Sequence, residues 1–245
     1  MGALAEILEL LHNAYERVDS FTGTFRVWSH ADASSDVLVE RPYGDDGPAV
    51  LHWQGAGPNP VETTSTMSVW LVSPDRLRVE IKHGRNLIRL RICDATNWWH
   101  WSRAEGARFG AHGEDRLGRR VFPLPPLLLD PAQLMTSMRF EPYGLGTRAG
   151  RDVRLVRATP RAAWRAAPSY ELELDASYGT LLRSSASDHA GRPFHVVEAV
   201  EANFGSRIDA NQFEFVSPDG KDARPPGVEQ APAPLTAKQA IPPSR

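Results

Sequence analysis

A single cysteine, Cys93, occurs among 245 residues. No internal disulfide can form, which excludes a small fold stapled by bridges, and a buried thiol is the expected role. The chain also lacks an excess of charge: 28 Lys and Arg stand against 30 Asp and Glu, a formal net charge of −2, with the basic residues scattered. Without a field of one sign, long-range attraction to phosphate backbones or anionic membranes is weak, so nucleic acid is not an expected partner. Nowhere is there an apolar run long enough to span a bilayer. The opening "MGALAEILELLHNAYERVDS" has no basic start and carries Glu6, Glu9 and Glu16, so it reads neither as a signal peptide nor as an anchor. As the sequence stands a cytoplasmic location is expected, with the cell envelope or secretion as the alternative if translation starts further upstream.

Motifs that carry chemistry are missing too. There is no Gly-rich phosphate loop, no internal repeat and no Gly-x-Ser-x-Gly elbow, and Cys93 sits beside Asp94 with no cationic neighbour in sequence to activate it. The histidines, His12, His30, His52, His83, His100, His112, His189 and His195, fall at none of the spacings of a zinc site. No catalytic residue, metal or cofactor is expected.

What the sequence does contain is alternation. Leu4, Ile7, Leu8, Leu11 and Tyr15 recur at helical spacing and predict an amphipathic helix over residues 2–17. From Phe21 the period becomes two, with Phe21, Gly23, Phe25 and Val27 on one face. The stretch from His30 to Glu62, rich in Gly, Pro and Asp, reads as one or two short strands in a large loop. "MSVWLVSPDRLRVEIKHGRNLIRLRI" then predicts strands joined by a turn at "HGRN". Simple alternation puts Leu77, Val79, Ile81, Ile88, Leu90 and Ile92 on one face and Arg78, Glu80, Arg89 and Arg91 on the other. "CDATNWWHW" turns into a further strand.

"VFPLPPLLLDPAQLMTSMRF" breaks the pattern. Pro123, Pro125 and Pro126 precede three leucines, Asp130 reads as an N-cap and Pro131 as the first residue of a short apolar helix ending near Met138. Strands follow at "RDVRLVRA", "SYELELDA", "GTLLRSSASD" and "PFHVVEAVEANF", with turns at "ASYG" and "HAGR". The pattern is that of antiparallel neighbours with one face toward water. The domain is expected over residues 1–217, with 218–245 a disordered Pro- and Ala-rich tail.

Four stretches taken in order resemble the LolA-like superfamily of lipoprotein carriers and related sigma-factor regulator domains. "SFTGTFRV" is similar to the family's first strand, "VWLVSPDRLRVE" to an apolar strand leading through a proline turn, and "CDATNWWHW" to the turn that enters an aromatic strand. "IDANQFEFVSPDGK" is similar to its closing strand, through Ile208, Asp209, Phe213, Phe215 and Pro218. Ser73 stands where the carriers have an arginine before the turn proline, Ala95 where they have a turn glycine, and no lipobox cysteine is present. The resemblance implies a mainly β fold: a curved antiparallel sheet forming an incomplete β-barrel, covered by an N-terminal helix and a Pro-flanked lid helix, with an apolar cavity between.

On that basis the candidate ligand-binding residues are Leu8 and Leu11 from the helix, Phe21 and Phe25 from the first strand, and Trp70, Leu77, Val79, Ile81, Leu90, Trp99 and Trp101 from the next. Phe122, Leu128, Leu134, Met135 and Met138 would supply the lid, where methionine suits a surface that repacks around different ligands. Ordinary core packing accounts equally for the tryptophans and for the lid. Trp98 and Trp99 are adjacent on a strand, so one of them lies off the concave face. Arg78, Arg89 and Arg91 read as a solvated face or as a basic stripe for an anionic head group. The leading expectation is non-enzymatic binding or carriage of a hydrophobic ligand: an acyl chain, a lipid or a lipidated peptide. A regulatory module that binds a protein partner is the alternative. A third reading is an accessory protein or enzyme for a bulky apolar metabolite.

Overall fold

Alternating apolar residues make each strand two-faced, and the two faces decide how the strands associate. The computed structural model describes residues 2–30, 62–94, 96–111, 128–129, 131–161 and 169–222. Expectations for residues 31–61, for Phe122, Leu127 and Asp130, and for the tail beyond 222 lie outside the described residues.

Helix α1 (Ala3–Asn13) leads into β1 (Ser20–His30), β2 (Glu62–Val72), β3 (Arg76–His83), β4 (Asn86–Cys93), β5 (Asn97–Ser102) and β6 (Gly106–Ala111). A 3-10 turn and the one-turn helix α2 (Leu134–Ser137) precede β7 (Met138–Arg148), β8 (Arg151–Pro160), β9 (Ser169–Asp175), β10 (Leu181–Ser187) and β11 (Pro193–Phe204). All the strands join one antiparallel sheet in the order β6-β5-β4-β3-β2-β1-β11-β10-β9-β8-β7, so β6 and β7 are its edges and the barrel does not close. The long pairing of β1 with β11 closes the two meanders into one sheet.

The inner face carries Phe21, Phe25, Met67, Leu71, Leu77, Val156, Leu172, Leu174 and Val197 in one cluster with Ile7 and Leu11 of α1 and with Leu128, Leu129, Leu134 and Met138. Helix α1 buries Ile7, Leu10 and Leu11, and Ala14 and Val18 just after it are buried too, while Leu8 is half-buried and Leu4 is 46% exposed. The outer face is held by charge. Arg148 bonds Glu173 at 2.8 Å and reaches Glu198 at 3.5 Å, Arg183 lies 3.7 Å from both Glu171 and Glu173, and Arg26 pairs with Glu198.

Three expectations change. A β-bulge between Ile81 and Lys82 pairs Lys82 with Leu87 but Ile81 with Arg89, leaving Ile88 as the extra residue. One extra residue reverses the face of everything beyond it, so Arg89 and Arg91 share the inner face with Val79 and Ile81, while Leu90 and Ile92 face outward. The closing segment is no strand among the described residues. Ala210–Phe213 forms a 3-10 turn, capped by the Asp209 carboxylate accepting from the Asn211 N–H, and Phe213 lies against the outer face. Finally, "MRFEPYGLGTR" is strand β7, which its Pro142 and glycines disguise; an edge strand tolerates a proline because one side of its backbone needs no partner.

Helix α1 docks on bare backbone. At Gly179, in the turn between β9 and β10, a Cβ would fall 2.1 Å from the Leu10 carbonyl oxygen, and φ there is +75°. Gly179→Ala therefore combines a left-handed backbone penalty with a clash that only moving the helix relieves. The expected result is a loss of about 3 kcal/mol or more in denaturant titration. An unchanged midpoint would show that α1 does not sit against this turn.

Candidate functional site

The predicted ligand-binding residues separate into two sets on opposite sides of the sheet. Leu11, Phe21, Phe25, Leu77, Val79, Ile81, Leu128, Leu134 and Met138 meet in the inner cluster, with Met135 packed at its border. Leu8 is half-buried on α1. Trp70, Leu90, Trp99 and Trp101 instead lie on the outer face with Ile92 and Ala107, under Ile208, Phe213 and Phe215. Trp99 stacks with Phe215 at 6.2 Å, Arg76 lies 5.7 Å over Phe213 and Arg78 lies 5.8 Å over Trp70. These four residues anchor the closing segment and do not face the interior. Among the described residues, the tryptophan on the inner side is Trp98, across from Cys93.

The inner set is covered in this structure. Leu11, Phe21, Leu77 and Leu134 have no exposure at all, and Phe25, Val79 and Leu128 have 1%. A side chain facing a void wide enough for water would register accessible surface, so none of these residues borders such a void. Among the described residues, the chain's middle contributes Leu128, Leu129, a 3-10 turn and the four residues of α2 to that cover. A groove of about 220 Å³ lies where α1 meets the β7 edge, lined by Ala3, Glu6, Ile7, Pro142, Gly144, Leu145 and Arg154. That volume falls short of the roughly 300 Å³ at which ligand pockets begin.

Toward the β6 edge the inner face turns polar. Cross-strand register sets Arg91 beside His100 and His100 beside Arg108, with Arg89 opposite Ser102. Arg91 is only 2% exposed, its guanidinium lies 5.7 Å over the Trp98 ring, and its Nε and Nη1 have no hydrogen-bond partner. Trp98 in turn lies flat over Gly110, where a Cβ would come within 2.7 Å of the ring. Burial, with Arg91 and Arg89 adding to it, pulls the His100 imidazole down to about 4. The sequence reading considered Arg89 and Arg91 only as an outward stripe. The signal for their true side is the odd spacing between the "HGRN" turn and the apolar residues flanking it.

Among the described residues no three His, Cys, Asp or Glu side chains converge as a metal site, and no helix is long and apolar enough to cross a membrane.

No protein-family model matches the chain, and no curated protein does either. Solved structures do. MucB in the MucA/MucB complex of Pseudomonas aeruginosa aligns with a TM-score of 0.54 at 18% identity, over 88% of this chain and 62% of that one. The two share a fold. MucB in complex with MucA(peri) gives a TM-score of 0.50 at 18% identity, covering 86% of this chain and 59% of its own. An uncharacterized conserved protein from Thermus thermophilus gives 0.51 at 10% identity over 91% and 98%. The present chain spans about three fifths of the MucB chains it matches, and at these identities the likeness is one of fold.

His100 gives this polar wing, strands β4 to β6, a pH signature. Unfolded, it takes up a proton near 6.5; folded, only at about 4. Between those values the unfolded state holds more protons, so acidification favours unfolding; the loss begins as pH falls through 6.5 and is complete near 4. Thermal melts of the protein and of His100→Gln are expected to diverge over this window, the variant losing less stability on acidification. Parallel curves would place His100 in water.

Proposed function

We propose that the protein binds and carries a hydrophobic ligand with a long alkyl chain on the inner face of its sheet, without catalysis, when the segment around Leu128 to Met138 lifts. The observation that supports this reading is a deep apolar inner face onto which a short helical segment lays apolar side chains, Leu128, Leu129, Leu134 and Met138 among the described residues. Lifting that cover bares Leu128, Leu129, Leu134 and Met138, at about 1.5–3 kcal/mol each. A buried methylene returns about 0.8 kcal/mol, so a guest needs roughly 8 to 15 methylenes to offset the opening. Short chains cannot do so, which makes chain length the diagnostic variable.

Native mass spectrometry of the purified full chain, followed by displacement of a fluorescent fatty acid by unlabelled fatty acids of increasing length, tests this. Little displacement is expected below about eight carbons and a steep gain beyond ten or so. Absence of saturable uptake at any length overturns the proposal.

One observation favours a second reading, docking of a protein partner. Leu145, 69% exposed, lines the groove between α1 and β7 with Ile7 and Pro142, and apolar residues grouped at an open groove mark interaction sites. MucB, which shares the fold, was solved bound to MucA. Leu145→Lys discriminates: on the carriage reading fatty-acid displacement is unchanged and no interaction is lost. Loss of a defined binding partner with ligand uptake intact favours the second reading.

A further inference from the structure

We propose that the groove between α1 and β7 is the mouth of the interior, through which a single unbranched alkyl chain enters end first. This assignment rests on the carriage reading above and adds to it a route and a shape for the guest.

One row of the sheet shows where the interior opens. Leu145 of β7 stands directly opposite Arg154 of β8, and Arg154 stands opposite Leu174 of β9. Residues directly opposed on antiparallel strands put their side chains on the same face. Leu174 belongs to the inner cluster and has no exposure, the Arg154 side chain is 29% exposed, and Leu145 is 69% exposed. The inner face therefore passes from dry to wet within two strands. A leucine at the wet end is informative, because register brings it to the buried side while water still reaches it. Ile7 joins the two regions, since it lines the groove and is also a member of the inner cluster.

The rest of the lining suits a doorway better than a container. At about 220 Å³ the groove is too small to hold a whole ligand, but it admits part of one at a time. Ala3 and Gly144 project little or no side chain into it. Across it stand Glu6 and Arg154, an ion pair with side chains 45% and 29% exposed. A pair wetted to that extent contributes little to stability, so parting it is easy. Its charges cancel, which leaves the mouth no net charge with which to choose a head group. Selection falls on the tail instead. A chain that threads end first exchanges water for apolar contact one methylene at a time, so Leu128, Leu129, Leu134 and Met138 yield in turn and are never bared together. A branch widens the guest, and α1 cannot swing away to admit it, because the helix backbone at Leu10 rests on the turn at Gly179.

Exchange kinetics of the full chain test this. Ala3→Cys and Leu145→Cys, both at exposed positions, are combined and bridged across the groove with a bis-maleimide that carries a cleavable disulfide spacer; Cys93 is buried and stays unlabelled. Uptake and release of cis-parinaric acid, an unbranched fluorescent fatty acid, are followed by stopped flow. Relative to the unbridged double variant, both rates are expected to fall at least about tenfold on bridging and to recover when the spacer is reduced. A barrier raised on the route leaves the end states alone, so Kd should stay within about twofold. With the wild type, hexadecanoic acid is expected to displace the probe at least about tenfold more effectively than its isomer branched beside the carboxyl group. Unchanged rates in the bridged protein overturn the mouth and leave carriage standing. Equal displacement by the two isomers overturns end-first entry, a comparison that needs no variant to fold. No saturable uptake by the wild type overturns carriage and the mouth with it.

Discussion

Everything in this protein follows from one wide sheet with a face that water must not reach. An antiparallel sheet can leave one side wet, but the other must be covered, and among the described residues a single eleven-residue helix contributes to that cover. That helix is fixed at several points. The Tyr15 hydroxyl donates to the Pro74 carbonyl, Arg154 pairs with Glu6 at 2.5 Å, and Arg17 reaches the Ser177 carbonyl at 3.3 Å. The absence of a side chain at Gly179 lets the helix backbone come to rest on the β9–β10 turn. Without this docking, the inner cluster would lose Ile7 and Leu11 from its cover.

Much of the architecture was legible because period-two alternation is a strong signal wherever one face is buried. β1, β3, β8, β9, β10 and β11 each read correctly, as did α1 and the turns at "ASYG" and "HAGR". Two failures share a cause. Alternation assigns a face only as long as the count is unbroken, and the extra residue at Ile88 breaks it silently, because leucine, isoleucine and arginine remain in a plausible order after the shift. The aromatic strand inherited the error: Trp99 and Trp101 follow Ile92 and Leu90 outward, and Trp98 follows Cys93 inward. β7 failed for another reason, since Pro142 is incompatible with a central strand but not with an edge.

The candidate site was half legible. Residues chosen by apolarity alone, such as Phe25, Leu77 and Leu134, do gather inside. The tryptophans chosen for size do not, because large aromatics serve equally well to pin a loop, which is what Trp70 and Trp99 do for Phe213 and Phe215. The polar wing went unseen since nothing in one dimension distinguishes a buried arginine from a wet one. Burial turns the same residue from a solvated ornament into a group that requires a counter-charge. The outer and inner faces thus divide labour, one locking the closing segment in place and the other presenting grease along most of its width and cations at one end.

The two margins of the sheet are unlike each other. At β7, Pro142 has no N–H to offer and a register shift follows it before Gly144, so a neighbouring molecule cannot lay a regular ladder along that border. At β6 no proline stands in the run Gly106–Ala111. Side-by-side stacking of copies requires each to present both margins, so one blunted border is enough to stop an endless filament. Two copies joined through β6 would be self-limiting, a closed pair with its blunt sides outward.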